Sequence, residues 1–422
     1  MPSATFFSLV DAVLTSDKVG RQPLDPCGPQ RRIITVEPGD RVLQILAGPG
    51  SGKTEMLVWR ILYELLVVGS EADSLIVTTF TRKAATELEV RLVERCDLLL
   101  EEARLRGLGP ADPHVHDVRV GTLHSLCDGL LREFDAAYME SGTQLVDEHE
   151  TRVRLAREYR FSLGYESRAA HPPRDGNLIL DTPEVAALFR PPWETDRWPA
   201  NDMQRVELLW AAMAQHAETW LPRCGADNAR NGIEYACPTL GITDALKSLY
   251  GKWVDYLDKH SVTDFVSIQQ RFLARQHTVL PGLRHVFVDE FQDTNPVQFA
   301  IHVGWLAGEG TRLTVVGDDD QSIYRFRGSD IACFQGLQQE CDRRSLPFRL
   351  DRLEDNHRST STIVGFTEAF RAHSMLLSTG MPKTLRTPAG TPAGEPVRLL
   401  AGDWARLCDV VAAELAQARE SI

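Results

Sequence analysis

Short apolar runs and longer amphipathic stretches take turns along the first third of the chain. Val42 to Leu46 is apolar-rich and too short for a helix, which predicts a buried strand. Glu55 to Val68 follows with apolar positions at helical spacing. Ser74 to Thr79 predicts a second strand, and Arg82 to Cys96 a helix with Ala84, Ala85, Leu88 and Leu92 on one face. Val118 to Gly121 predicts a third strand, with a helix over Leu123 to Phe134. Strands alternating with helices are the signature of a parallel α/β sheet. Ahead of it, residues 1 to about 25 form a leader or short helix carrying Phe6, Phe7, Leu9, Val10, Val13 and Leu14, then a Pro/Gly-rich turn.

The alternation stops near Asp135. From there to Val262 the chain is helix-like, broken at His171-Pro172-Pro173 and Pro191-Pro192, and it holds Trp193, Trp198, Trp210, Trp220 and Trp253. This block predicts a helical insertion whose tryptophans pack in a core or between domains. Strand patterns resume at His285 to Asp289 and Leu313 to Gly317. A boundary is expected around residues 340 to 350, with Phe348 to Leu353 the first strand of a second domain. A turn over Thr387 to Pro396, a strand Val397 to Leu400 and a helix Trp404 to Ala418 complete the pattern. The expected division is therefore 1–134 with 262–345, an inserted 135–261, and 346–422 as the start of the second domain.

Composition adds bounds. At 422 residues the chain is too long for one ordinary domain, and 43% hydrophobic with 25% charged is a globular composition. No apolar run reaches the roughly 20 residues that span a bilayer, and Asp11 with no basic leader argues against a signal peptide. Eight cysteines without a Cys-x-x-Cys pair argue against a zinc or iron–sulfur site and for reduced thiols inside the cell. A net charge of −13 argues against broad wrapping of duplex nucleic acid, though not against a strand held in a narrow groove.

The chemistry concentrates at strand ends. Ala47-Gly48-Pro49-Gly50-Ser51-Gly52-Lys53-Thr54 lies between the first strand and its helix, as a phosphate-binding loop does. Its glycines let backbone N–H groups approach an anion, and the following helix aims its N-terminal donors at the same point. Lys53 would reach the terminal phosphates of ATP, and the Thr54 hydroxyl would hold Mg²⁺. Val286-Phe287-Val288 ends in Asp289 and Glu290. In a parallel sheet these acids stand near the loop, Asp289 as a second Mg²⁺ ligand and Glu290 as the group that activates water.

The loop follows Gln30 and precedes Thr79-Phe80-Thr81-Arg82-Lys83-Ala84-Ala85, Gly121-Thr122-Leu123-His124-Ser125, Asp289-Glu290-Phe291-Gln292-Asp293, the run Val316 to Gly328, and Leu353-Glu354-Asp355-Asn356-His357-Arg358-Ser359-Thr360. In that order these motifs resemble the UvrD/Rep/PcrA family of superfamily-one DNA helicases, over roughly residues 26 to 370. The resemblance implies a P-loop RecA-like parallel sheet, an inserted α-helical subdomain and a partial second RecA-like domain. It implies that Gln30 reads the adenine edge, that Gln321 senses the γ-phosphate, and that Arg358 stabilises the transferring phosphoryl group. On the DNA side it implies that Phe80 and Phe326 stack on bases, while Thr81, His124, Tyr324 and Arg327 lie along a single strand.

Departures qualify the resemblance. His357 stands where the family usually has an adenine-stacking tyrosine, and imidazole stacks with less area and a titratable charge. Glu55 follows Thr54 where relatives carry arginine, so it is expected to point outward or to pair with a neighbour such as Arg60. The last two family motifs are absent from residues 361 to 422. Two readings stay open: an ATP-driven 3′-to-5′ translocase acting on single strands and strand junctions in the cytoplasm, completed by another polypeptide or a C-terminal half; or a non-motor switch that binds ATP and single strands. A subunit of a nuclease–helicase or defence complex is a further variant, with any nuclease elsewhere.

Overall fold

A computed structural model describes residues 1–20, 24–25, 28–147, 149–151, 153–154, 253–275, 282–324, 329–373 and 380–397. Helices α1 (Ser3–Thr15) and α2 (Pro29–Ile34) lead to β1 (Val42–Ala47), α3 (Lys53–Tyr63), β2 (Leu75–Thr79), α4 (Arg82–Leu105), β3 (Arg119–Thr122), α5 (Leu123–Phe134) and α6 (Ala136–Glu140). After β4 (Gln144–Leu145), the described chain resumes and continues with β5 (Val262–Thr263), α7 (Phe265–Arg275), β6 (His285–Val288), α8 (Pro296–Gly304) and β7 (Arg312–Gly317). Next come α9 (Ile331–Gln335), α10 (Leu337–Arg343), β8 (Phe348–Leu353) and α11 (Ser361–His373). The chain falls into two compact units, residues 1–47 with 52–353, and residues 48–51 with 354–422.

The first unit is built on a six-stranded parallel sheet in the order β3-β2-β6-β7-β1-β8. Every residue of β1, β2 and β6 is buried, as strands covered on both faces require. Local sequence sets where the helices start. Thr81 caps α4 by accepting the Ala84 N–H, and Asn295 with Gln298 forms a capping box at α8 with Pro296 in the first turn. The N-terminal segment is a helix, and α1 buries Phe6, Leu9 and Val10 in the main core, where Phe6 meets Tyr63 edge-on at 5.3 Å.

Two expectations change. Phe348 to Leu353 does not begin a separate sheet: β8 pairs in parallel with β1 from Val42↔Phe348 to Ala47↔Leu353. Without it β1 would be an exposed edge, and a strand buried along its whole length needs a partner on each side. The expected boundary therefore moves past Leu353. Inside the range read as helical, β4 pairs in parallel with β5, so the chain leaves and returns at neighbouring strands. Trp253 is fully buried there and donates to Asp264 at 2.7 Å. Most of the expected helical insertion, with Trp193, Trp198, Trp210 and Trp220, lies outside the described residues, as do Arg398 to Leu400 and Trp404 to Ala418.

Below the sheet's working edge lies a buried polar layer. Past α3 the helix widens into a π-type turn, Glu64–Val68. Glu64 accepts from Arg312 at 2.6 Å and pairs with His285 Nδ1 at 3.0 Å, while His285 Nε2 meets the Thr314 hydroxyl at 2.8 Å. Burial pushes His285 down to about 4 and His302, in α8, down to about 3. Both are neutral in the folded state at pH 7. Below the ordinary value of 6.5 an unfolded chain binds these protons while the folded chain does not. The stability conferred by neutral burial is thus complete above pH 6.5 and is lost as pH falls through about 4, with a slope of about 1.4 kcal/mol per pH unit for each histidine. In urea unfolding between pH 6 and 5, the slope of stability against pH should be smaller in His302→Leu than in the wild type by about 1.4 kcal/mol per pH unit, one histidine's share; an unchanged slope would contradict neutral burial.

Candidate nucleotide and nucleic-acid site

Because the six strands are parallel, the ends of β1, β2, β3, β6 and β7 open on one edge, and each carries a residue singled out from the sequence. Gly50 and Gly52 adopt φ values of 68° and 83°, the left-handed region that glycine enters at least cost. Lys53 and Thr54 open α3 directly after Gly52. Lys53 Nζ lies 3.0 Å from Glu290 Oε2, and Gln292 Nε2 donates to the same oxygen at 2.9 Å. Gln292 Oε1 in turn accepts the Asp318 N–H at 3.0 Å, and Gln321 Nε2 donates to Asp318 Oδ2. One hydrogen-bonded chain therefore runs from the phosphate loop past β6 to the end of β7.

Thr54 Oγ1 donates to Asp289 Oδ2 at 3.3 Å, while Asp289 Oδ1 accepts the Glu290 N–H at 3.0 Å. Burial, reinforced by the Glu290 charge, raises the Asp289 carboxyl to about 6 against the pull of Lys53. Two hard oxygen donors, a hydroxyl and a buried carboxylate, meet here, so Thr54 and Asp289 fit Mg²⁺. Glu290 itself sits at φ 51°, a left-handed conformation costly for a side chain and typical of working sites. The same forces, burial and then Glu290, raise Asp293 to about 7.

Glu55 is buried without reaching Arg60. It accepts from Arg95 Nε at 2.8 Å and from Trp59 Nε1 at 3.1 Å, so of the two expected outcomes it pairs rather than points outward, and its partner is Arg95 rather than Arg60. Arg95 lies on α4, thirteen residues beyond Arg82, where no sequence spacing announces it as a neighbour of Glu55.

In the second unit Asn356 braces the phosphate loop. Its Nδ2 donates to the Pro49 carbonyl at 2.8 Å, and its Oδ1 accepts the N–H groups of Arg358 and Ser359 at 2.9 and 2.7 Å. The His357 N–H donates to the Gly50 carbonyl at 2.9 Å. A Cβ on Gly50 would stand 2.8 Å from Arg358 Cβ, so this glycine permits close approach as well as a left-handed turn. The His357 and Arg358 side chains are exposed.

On the nucleic-acid side, Phe80 and Tyr324 lie 4.7 Å apart with rings tilted by 33°, both half-buried. Thr81 is exposed at the start of α4. His124 meets Phe265 edge-on at 5.1 Å, and burial followed by the nearby Arg82 charge lowers it to about 4. At neutral pH it offers an uncharged ring and no cation to phosphate. A cavity of about 50 Å³ is lined by Phe80 and His124 together with Asp289, Glu290 and Asp293. Phe326 and Arg327 lie outside the described residues. Gln30 is half-buried in the first turn of α2.

A glycine loop, an acidic strand end and a parallel sheet together define a P-loop nucleotide-binding fold of the RecA-like class. The profile of the UvrD/REP helicase N-terminal domain matches residues 29–342, and the chain belongs to that family. It is 28% identical to ATP-dependent DNA helicase SRS2 of Saccharomyces cerevisiae over 359 residues, 80% of this chain and 26% of the yeast protein. DNA helicase II of Escherichia coli is 28% identical over 82% of this chain and 40% of its own length. ATP-dependent DNA helicase UvrD1 of Mycobacterium tuberculosis is 30% identical over 89% of this chain and 42% of its own. The chain thus spans between a quarter and a little over two fifths of these relatives.

Gln292, Asp318 and Asn356 are the site residues that residue-by-residue reading did not single out, although all three fall inside quoted motifs. Gly317 carries the geometric signal for the first of them. A Cβ there would stand 2.5 Å from Gln292 Oε1 and 2.8 Å from a Phe334 ring carbon. Gly317→Ala should therefore displace Gln292 and cost about 1–3 kcal/mol of stability, with Gln292→Ala in the same chain recovering part of it; full stability in the single variant, read by urea unfolding, would refute the contact.

Proposed function

We propose that this chain is the nucleotide-hydrolysing portion of an ATP-driven DNA motor that advances 3′ to 5′ along a single strand. The observation that carries the reading is the hydrogen-bonded chain Lys53–Glu290–Gln292–Asp318–Gln321. It joins the residue that would hold the terminal phosphates to the one that would report their state, through the residue that would take a proton from water. Family membership supports the same class.

In this reading the Gly48 to Gly52 N–H groups and Lys53 bind the triphosphate. Bound Mg²⁺, held by Thr54 and Asp289, would supply charge neutralisation at the phosphates. Glu290, oriented by Gln292, accepts the proton of the attacking water. Lys53, now on Glu290, exchanges that partner for phosphate oxygens, which frees the carboxylate to act as base. Arg358, whose Cβ lies close beside Gly50, stabilises charge on the phosphoryl group. Gln30 reads the adenine edge and His357 stacks on the ring.

Phe80, Tyr324 and Phe326 provide stacking faces for bases, with Thr81, His124 and Arg327 beside the strand. His124 acts there as a neutral hydrogen-bonding ring. The cavity shared by Phe80, His124 and Glu290 supports a connection between strand binding and hydrolysis. The relatives extend well past the matched length, and we take further motor sequence, in the same or a second polypeptide, to complete the strand track and act at strand junctions in the cytoplasm.

Glu290→Gln should lower single-strand-stimulated ATP hydrolysis by about 10²–10⁴-fold while ATP still binds; turnover at the wild-type rate would remove Glu290 from the role of base. Phe80→Ala should weaken single-strand affinity by about 1–3 kcal/mol with nucleotide affinity unchanged. Equal affinity for oligo(dT) in a fluorescence-anisotropy titration would instead make Phe80 a packing residue for Tyr324. ATP binding with no hydrolysis at saturating single strand, even with further motor sequence supplied, would favour the non-motor switch.

A further inference from the structure

Helix α2 is only six residues long, yet it carries Gln30 and has no long amphipathic face to fix its position. Ile33 and Ile34 bury it in the core and Arg31 pairs with Asp11 at 2.5 Å; its C-terminal end is held as well. The last carbonyls of a helix have no partner within the helix and carry its negative pole. Here two arginines from other elements take them up. Arg60, from α3, donates through Nη1 to the Ile33 and Thr35 carbonyls at 2.6 and 2.5 Å. Arg349, from β8, donates through Nη2 to the Arg32 carbonyl at 3.0 Å.

Asp40 stands between the two guanidiniums, 3.5 Å from Arg60 Nη2 and 3.2 Å from Arg349 Nη1. Arg60 is further fixed by the Thr314 hydroxyl of β7 at 3.0 Å. Burial, then Arg349, lowers Arg60 to about 10, which leaves it charged at neutral pH. The base-bearing helix is thus tied to the helix that follows the phosphate loop and to the strand that leads on to Arg358.

We propose that Arg60 and Arg349, bridged by Asp40, are positioning residues for nucleobase selection, holding α2 so that Gln30 meets the adenine edge. This rests on the reading of Gln30 given above. Loss of the Arg349 arm loosens α2 while Arg60 keeps α3 on Thr314, so it affects recognition of the base more than phosphate binding and separates nucleotides that differ only in the base. A merely structural role would weaken all of them alike.

The test is displacement of a fluorescent ATP analogue from the chain, with Mg²⁺, by ATP and by GTP. Arg349 is the first choice because its side chain is 28% exposed, whereas Arg60 is buried at 1%. Arg349→Met should raise Kd for ATP about tenfold, leave Kd for GTP within about twofold, and so approach the selectivity of Gln30→Ala. Arg349→Lys, which keeps a donor, should recover part of the preference, and Asp40→Asn should show the same selective loss by an independent route. If Gln30→Ala abolishes the ATP preference while Arg349→Met and Asp40→Asn weaken both nucleotides equally or neither, the clamp is overturned and the role of Gln30 stands. If Gln30→Ala leaves the preference intact, the adenine reading falls and the clamp's function with it.

Discussion

A parallel sheet delivers the C-terminal end of every strand to the same edge, and that constraint organises the rest of this molecule. Ala47, Thr79, Thr122, Val288 and Gly317 end their strands at the same edge of the sheet, with only a small stagger between neighbours. The loops that follow them hold the phosphate loop, the Phe80 segment, the His124 segment, the paired acids and Gln321. No sequence neighbour of Lys53 is needed to hold it: its partner Glu290 is 237 positions away. The sheet makes that distance irrelevant, and the motifs can be dispersed along the chain because the strand ends are not.

Behind that edge, polarity does the locating. Glu64, His285, Thr314, Arg60 and Arg312 form a buried layer in which each named polar side chain has a partner. Buried polar groups of this kind add little net stability, but any arrangement that leaves one unpaired is costly. The layer therefore penalises displacement of α3, and with it Lys53 and Thr54, relative to β6 and β7. Glu55 with Arg95 does the same between α3 and α4, the helix that begins beside Phe80. A residue that looked misplaced next to a phosphate site is neutralised by a cation from the next helix.

Several elements were legible in the chain because the signals that specify them are local. The Gly50 and Gly52 turns, the cap at Thr81, the apolar strands β1, β2 and β6 and the helix at Leu123 to Phe134 depend on residues within one or two turns of one another. The same locality exposed Lys53, Thr54, Asp289 and Glu290, since glycine spacing and an apolar run ending in acids are written in contiguous residues. Arg95, Asn356 and Gln292 were not legible as partners: each acts through a side chain that crosses to another element, and nothing in its own neighbourhood names the element.

The sequence by itself determined the class of fold, the order of the strands and helices around the phosphate loop, and the chemical kind of each strand-end residue. Only the tertiary structure decided which sheet β8 joins, that Glu55 pairs with Arg95 rather than Arg60, that His124 is neutral, and that two arginines cap α2. The physical reason is range. Backbone propensity, capping and hydrophobic period act over a few residues, whereas strand partnership, desolvation and ion pairing depend on distances that exist only once the chain has closed on itself.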